Sequence, residues 1–255
     1  MKVFYGLESL PAFKHPVVTV GSYDGVHYGH RALLNRVVGK AKENDGESIV
    51  VTFSPHPRQV LSRGGEIKLL NTLKEKLFLL EDAGINNVIV LPFTSVFASL
   101  SSEEFVRGIL SEKIGIEYFV IGYNHRFGKE QAGDFSQLES MGHKFGFTTE
   151  RIAQRNLGDD KVSSTVIRQL ISDGQMSKAA DFLARGYIVI AEVRKNNNVI
   201  IEDDFKLIPT AGTYPVSLNH NGIRSEDILK IDAEGMITLE KGMKGDVKDV
   251  YITFI

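Results

Sequence analysis

There is no cysteine among the 255 residues and no tryptophan. The first absence excludes disulfide stapling, thiolate nucleophiles and cysteine-ligated zinc, and it fits a reducing compartment, so a cytoplasmic location is expected. Charge of neither sign dominates. With 30 Lys and Arg against 32 Asp and Glu the formal net charge is −2 and the pI near 6.4, so the basic footprint of a nucleic-acid binder is missing. No apolar stretch approaches the roughly 20 residues that cross a bilayer. The opening MKVFYGLESLPAF has neither the apolar core nor the small-residue cleavage site of a secretory signal. Neither nucleic acid nor membrane is therefore expected as a partner. Internal repeats and low-complexity linkers are also lacking, while 42% hydrophobic residues supply cores for one large domain or two modest ones.

What is present concentrates in residues 16 to 30, PVVTVGSYDGVHYGH. Val17 to Val20 form a short, continuous, β-branched run of the kind found in a buried parallel strand. Gly21 and Gly25 permit a tight turn and close approach of a ligand. From about Gly29 to Lys42, Leu33, Leu34, Val37, Val38 and Ala41 share one face, which predicts an amphipathic helix packed on the sheet. Its N-terminus offers unpaired N–H groups and the positive end of the macrodipole, with His27 and His30 beside it. That combination suits a nucleotide phosphate. A histidine at a helix start also serves as an ordinary capping or exposed residue.

The first two-thirds of the chain alternates short apolar runs with amphipathic segments, the pattern of a parallel α/β sheet. Strands are expected at Val17 to Val20, Ser48 to Phe53, Asn87 to Leu91 and Tyr118 to Ile121. Helices are expected near 29 to 43, 73 to 83 and 102 to 113, the last with Ser101 or Ser102 as N-cap and Glu103 and Glu104 near the dipole. Ligands of open α/β sheets collect beyond the carboxyl ends of the strands, so the histidine loop, the loop after the second strand and the loop after Ile121 converge on one site.

Each of those loops admits a bland reading and a functional one. Ser54-Pro55-His56-Pro57 cannot continue a strand, because proline lacks the N–H donor and restricts its predecessor; it is either a rigid connector or a stiff apolar wall. Gly122 to Gly128, GYNHRFG, is a glycine-bounded turn in which Asn124, His125 and Phe127 can contact a ligand. Ser163, Ser164 and Thr165 open a further helix, and capping and phosphate binding are compatible there, with Arg168 one turn along. Asp24 is either an Asx-turn residue or a structural or metal-linked carboxylate. From Tyr187 the character changes to YIVIAEV, NVII, TYPVSL, MITLE and DVYITFI, with Asn-Gly at 221 to 222, as in a small antiparallel barrel or sandwich.

The sequence H-Y-G-H resembles the His-x-Gly-His signature of nucleotidylyltransferases, and G-S-Y-D-G-V-H-Y-G-H resembles the G-x-F-D-G-V-H-x-G-H stretch of prokaryotic FAD synthetases, with Tyr23 in place of Phe. T-F-S-P-H-P at 52 to 57, L-N-T-L-K-E-K at 70 to 76 and S-S-T-V-I-R at 163 to 168 extend the likeness over roughly residues 16 to 185. The resemblance implies a Rossmann-like nucleotidylyltransferase domain over 1–185, followed by a reduced riboflavin kinase-like β domain over 186–255. It implies an FMN adenylyltransferase that takes FMN and ATP with Mg²⁺ to FAD and pyrophosphate. His27, His30 and Arg168 then take the catalytic roles. Gly21, Tyr23, Asp24, Gly25, Ser54, Pro55, His56, Pro57, Asn124, His125, Phe127, Gly128, Ser163, Ser164 and Thr165 line the substrates. His125 departs from the family's aromatic residue. The kinase resemblance is partial: L-I-P-T-A-G-T-Y-P-V is kinase-like, but the preceding G-x-P-T-A-N element is replaced by VRKNNNVIIEDD, so kinase activity is expected to be lost. Two other readings stay open, a flavin- or nucleotide-binding protein without turnover and a nucleotidylyltransferase for a different phosphorylated acceptor.

Overall fold

The computed structural model describes residues 1–61, 67–123, 128, 134–153, 156–157 and 160–255. They form two compact units, Met1–Tyr23 with Gly29–Glu66 and Leu79–Asn156, and Asp24–Tyr28 with Ile67–Phe78 and Leu157–Ile255.

The first unit carries six strands, β1 (Lys2–Tyr5), β2 (Val17–Val20), β3 (Ser48–Ser54), β4 (Asn87–Pro92), β5 (Tyr118–Gly122) and β6 (Thr148–Ile152), paired throughout in parallel in the order β1-β4-β3-β2-β5-β6. The four strands expected from apolar runs are all present. The two outermost, β1 and β6, are additional. Their sequences KVFY and TTERI lack a continuous apolar run because an edge strand faces a neighbour on one side only. Val18, Val20, Ile49, Val51, Ile89, Leu91, Phe119 and Ile121 alternate onto one sheet face and pack with the helical residues Phe105, Val106, Ile109, Leu110 and Leu138. Val17, Val50, Val88 and Val120, at the alternate positions, are buried too, as in a parallel sheet covered on both faces. Helix α1 (Tyr28–Glu43) buries Leu33, Leu34, Val37 and Ala41, leaving Val38 half-buried. The helix expected over 102–113 starts as a short α-helical turn at Ser102–Glu104. Ser101 and Glu104 close a capping box there, and the helix then runs on as a π-helix through Phe105–Ile114 to Gly115, whose φ of 70° ends it.

The second unit holds an antiparallel sheet whose strands are Ile188–Val193, Val199–Ile200, Gly212–His220, Ile223–Ile231, Ile237–Leu239 and Val247–Phe254. Val199–Ile200 and Ile237–Leu239 end the strand order, and the sheet curls until Asn198 bridges Thr238 and the Leu239 N–H reaches the Asn197 carbonyl at 3.0 Å, which makes it a nearly closed barrel. Asn221 and Gly222, at φ 50° and 82°, form the expected two-residue turn. The strand after that turn, Ile223–Ile231, is not evident from sequence because its first four residues are exposed and include Arg224, Ser225 and Glu226. Helices at Ser164–Ser172 and Met176–Leu183 also belong to this unit; Ile167, Leu170, Ile171, Phe182 and Leu183 share the core of Tyr187, Val189, Val216, Leu218 and Ile252.

Candidate functional site

In the first unit, β2 is where the winding reverses: the chain proceeds from β2 to β3 and β4 on one side, then places β5 and β6 on the other. The carboxyl ends of β2 and β5 therefore flank the position where open α/β sheets bind ligands. The Gly21 N–H extends the β2–β3 pairing to the Val51 carbonyl at 3.0 Å. A Cβ at Gly21 would lie 3.1 Å from the Tyr23 ring, a tight contact that would press on that ring. Tyr23 itself is buried, with φ 49° and its hydroxyl 2.7 Å from Thr19 Oγ1; burial holds its phenol protonated, and its ring packs against His30 at 5.2 Å between centroids. His30 thus rests on Tyr23 in the first turn of α1.

At the end of β3, Ser54 is followed by exposed Pro55 and buried His56. Nδ1 of His56 accepts the Arg58 N–H at 3.1 Å and Gln59 Oε1 accepts the His56 N–H at 2.8 Å, so this histidine caps the short helix Pro57–Leu61 and its ring proton sits on Nε2. Pro57 occupies the first helical position, where a missing N–H is harmless. Beside this loop the sequence reading missed three half-buried rings. Phe53 lies 5.4 Å from Phe93 and 5.5 Å from Phe97, and the latter two are 5.5 Å apart. Their signal was an aromatic residue ending one strand and two more just after the next. Beyond β5, Asn124, His125 and Phe127 lie outside the described residues. Gly128 is described: at φ 73° it approaches Ser102 so closely that a Cβ would come within 2.7 Å of the Ser102 nitrogen.

In the second unit the segment Asp24–Tyr28 is held by bonds from every side. Asp24 is 2% exposed; its Oδ1 accepts the N–H groups of Leu70 at 2.9 Å and Asn71 at 3.1 Å, and its Oδ2 pairs with the Arg168 guanidinium. Nε of Arg168 donates to the Lys68 carbonyl at 2.8 Å, and Ser164 Oγ to the Asp24 carbonyl at 2.8 Å. Arg185 Nη2 donates to the Gly25 carbonyl at 2.6 Å. Gly25 adopts φ 91°, where a Cβ would lie 2.7 Å from Leu70 Cδ1. Ser163 is the N-cap of the Ser164–Ser172 helix, accepting the Val166 N–H, and Thr165 is exposed on its first turn. His27 is buried, and that burial, only partly offset by Asp24, lowers its imidazole pKa from 6.5 to about 4. It is neutral at pH 7 and presents a single ring N–H. Burial likewise lowers the Lys76 ammonium to about 8, against the attraction of Asp24.

The motif at 70 to 76 thus serves Asp24 through its backbone, a role its spacing did not disclose. It also contains a buried ion pair that sequence reasoning passed over, Glu75 with Lys206 at 2.6 Å, both side chains fully buried. Lys206 stands 131 residues after Glu75 and gives no periodic signal, and only the fold brings the two together. An open cleft of about 500 Å³ in this unit, lined by Lys68, Ile200, Asp203, Asp204, Met236 and Lys206 among others, includes none of the residues chosen from sequence.

The FAD synthetase family profile matches residues 11–166, a span that covers the histidine loop and the parallel strands and ends within the Ser163–Arg168 motif. The chain belongs to the FAD synthetase family. It is 29% identical over 201 residues to a bifunctional riboflavin kinase/FMN adenylyltransferase of Buchnera aphidicola subsp. Schizaphis graminum, covering 78% of this chain and 64% of that protein. With the protein of the same description from Pseudomonas fluorescens it shares 30% identity over 238 residues, covering 87% of this chain and 74% of the relative. The chain therefore spans about two thirds of the length of these relatives. Among solved structures, the crystal structure of a macrolide-efflux protein from Streptococcus pneumoniae matches all of this chain and 90% of its own with a TM-score of 0.82 at 20% identity, which shows a common fold. No helix among the described residues is long and apolar enough to cross a membrane.

Proposed function

We propose that this FAD synthetase family member is an FMN adenylyltransferase, joining the phosphate of FMN to the α-phosphorus of ATP and releasing pyrophosphate. The observation that carries the reading is the His27-Tyr28-Gly29-His30 start of α1, directly after the strand at which the winding of a parallel sheet reverses, in a chain whose residues 11–166 match that family. A phosphate monoester is already nucleophilic near neutral pH, so alignment and charge neutralisation suffice and no covalent enzyme intermediate is required. His27 and His30 donate ring N–H bonds to phosphate oxygens alongside the helix N-terminus. Arg168, with Nε and Nη2 engaged by Lys68 and Asp24, is fixed in direction and turns its remaining N–H groups to the departing pyrophosphate. Gly21, Gly25, Ser163, Ser164 and Thr165 allow or assist the approach of the nucleotide. Ser54, Pro55, His56 and Pro57, with the Phe53, Phe93 and Phe97 rings, offer a stiff apolar surface for the isoalloxazine ring, and Asn124, His125, Phe127 and Gly128 are assigned to the same ring. Tyr23 and Asp24 act by holding His30 and Arg168 in place.

Among the described residues no group of three or more His, Asp or Glu is placed to hold a metal, and both oxygens of Asp24 are engaged. These residues do not form a magnesium cage. Mg²⁺ is assigned only as the counter-ion that accompanies ATP phosphates, and no step is drawn through it. As functional segments we assign 1–185 to adenylyl transfer and 186–255 to a β domain without kinase activity. The chain's one Pro-Thr-Ala runs straight into the strand at Gly212, and Thr210 gives its carbonyl to the Tyr214 hydroxyl at 2.7 Å, so that segment is committed to the barrel. Incubation of the purified chain with ATP, Mg²⁺ and either FMN or riboflavin, with the flavins resolved by chromatography, tests both assignments. FAD from FMN and no FMN from riboflavin is the expected result. Absence of FAD while ATP and FMN both bind replaces the enzyme with a binding protein, and FMN from riboflavin refutes the loss of kinase activity.

A further inference from the structure

We propose that Lys206, in the segment leading into the barrel strand Gly212–His220, is a positioning residue for the loop that carries His27. Its side chain is fully buried, and its three N–H donors are all used: Nζ bonds the Leu70 carbonyl at 2.8 Å, Glu75 Oε2 at 2.6 Å and the Ile188 carbonyl at 2.7 Å. The ammonium also lies 4.2 Å from the centre of the Tyr187 ring. Glu75 is equally committed. Its Oε1 accepts the Ile190 N–H at 2.9 Å, and its Oε2 accepts that of Thr72 at 2.9 Å, while Thr72 Oγ1 takes the Glu75 N–H, closing a capping box at the start of helix Leu73–Asp82.

The link to the loop passes through one residue. Leu70 gives its carbonyl to Lys206 and its N–H to Asp24, and the neighbouring Asn71 N–H goes to the same Asp24 oxygen. Leu69 adds backbone bonds to Phe205 at 2.6 Å and Leu207 at 2.8 Å. Asp24, three residues before His27, is thus suspended from a backbone segment that Lys206 pins. An apolar side chain of similar length fills such a space at lower cost, since an ammonium and a carboxylate must both be taken out of water. What an apolar replacement cannot supply is three directed bonds that fix Leu70, Glu75 and Ile188 against one another. The consequence for catalysis rests on the adenylyl-transfer reading; the placement of the loop does not.

The test is a histidine NMR titration of the full chain, with the seven imidazoles assigned by single replacements. In the parent protein burial is expected to hold the His27 titration near 4. Lys206→Met is expected to release the loop and move that titration upward toward 6.5, the ordinary value. The same variant lowers kcat for FAD formation on the order of 100-fold through misalignment, with a smaller change in the KM values. Leu218→Ala, a buried barrel residue outside this network, controls for destabilisation alone and leaves the His27 titration where it was. If Lys206→Met does not fold, Glu75→Gln keeps the shape of the partner while removing its charge, and is expected to shift His27 in the same direction. An unmoved His27 titration in the folded variant, or an equal shift in Leu218→Ala, overturns the proposal. A parent protein that makes no FAD overturns the adenylyl-transfer reading instead, while the titration still decides the role of Lys206.

Discussion

Replacing Asp24 by Asn keeps the volume of the side chain and removes its charge. In the parent protein the carboxylate is 3% exposed and Arg168 14% exposed, so water screens this pair little. The amide oxygen still accepts the Leu70 and Asn71 N–H groups, but its NH₂ now faces a guanidinium N–H, donor against donor. Breaking a buried pair by removing one partner costs about 3–5 kcal/mol. The bond from Arg168 Nε to the Lys68 carbonyl persists, which places the expected loss at the lower end, about 3 kcal/mol. Adding Arg168→Met removes the stranded charge and should recover most of that loss, so the two changes are expected to be strongly non-additive in the double-mutant cycle. Because the chain has no tryptophan, urea unfolding followed by far-ultraviolet circular dichroism is the suitable assay. A loss below about 1 kcal/mol, the range of exposed pairs, or strict additivity of the two changes, refutes the claim that this pair anchors the loop.

The folded-state His27 pKa lies below its unfolded value, so between pH 6.5 and about 4 the unfolded chain binds a proton that the folded chain does not. Its contribution is complete above pH 6.5 and is lost as pH falls through that window, by about 3 kcal/mol in all; a stability–pH profile unchanged in His27→Gln counts against it. Asn71 is 2% exposed and its amide nitrogen and oxygen have no hydrogen-bond partner among the described residues, so Asn71→Leu should raise stability by about 1–2 kcal/mol; a lower urea midpoint sinks this reading. His30→Ala should lower kcat on the order of 100-fold while FMN binding changes little, and an unaltered turnover number removes His30 from the phosphate site.

Much of the molecule was determined by sequence alone. Continuous β-branched runs such as Val17–Val20 and Ser48–Ser54 can satisfy both faces only in a covered parallel sheet, and Asn221-Gly222 between alternating runs can hardly be other than a hairpin turn. The placement of His27 and His30 at the start of a helix was legible because their spacing relative to a strand and a helix start is local. The edge strands Lys2–Tyr5 and Thr148–Ile152 escaped, since a strand with one neighbour tolerates polar residues. Tertiary structure alone decided what Asp24 and Lys206 do. An aspartate before a glycine reads equally as a turn residue or as a structural or metal-linked carboxylate, and an isolated lysine carries no signal of burial. Only when segments 67–78 and 157–255 close around residues 24–28 does burial turn the aspartate into the anchor of Arg168, and the lysine into the partner of Glu75. Pairings across more than a hundred residues leave no periodic trace in the chain, because the low dielectric that makes them strong is created by the fold itself.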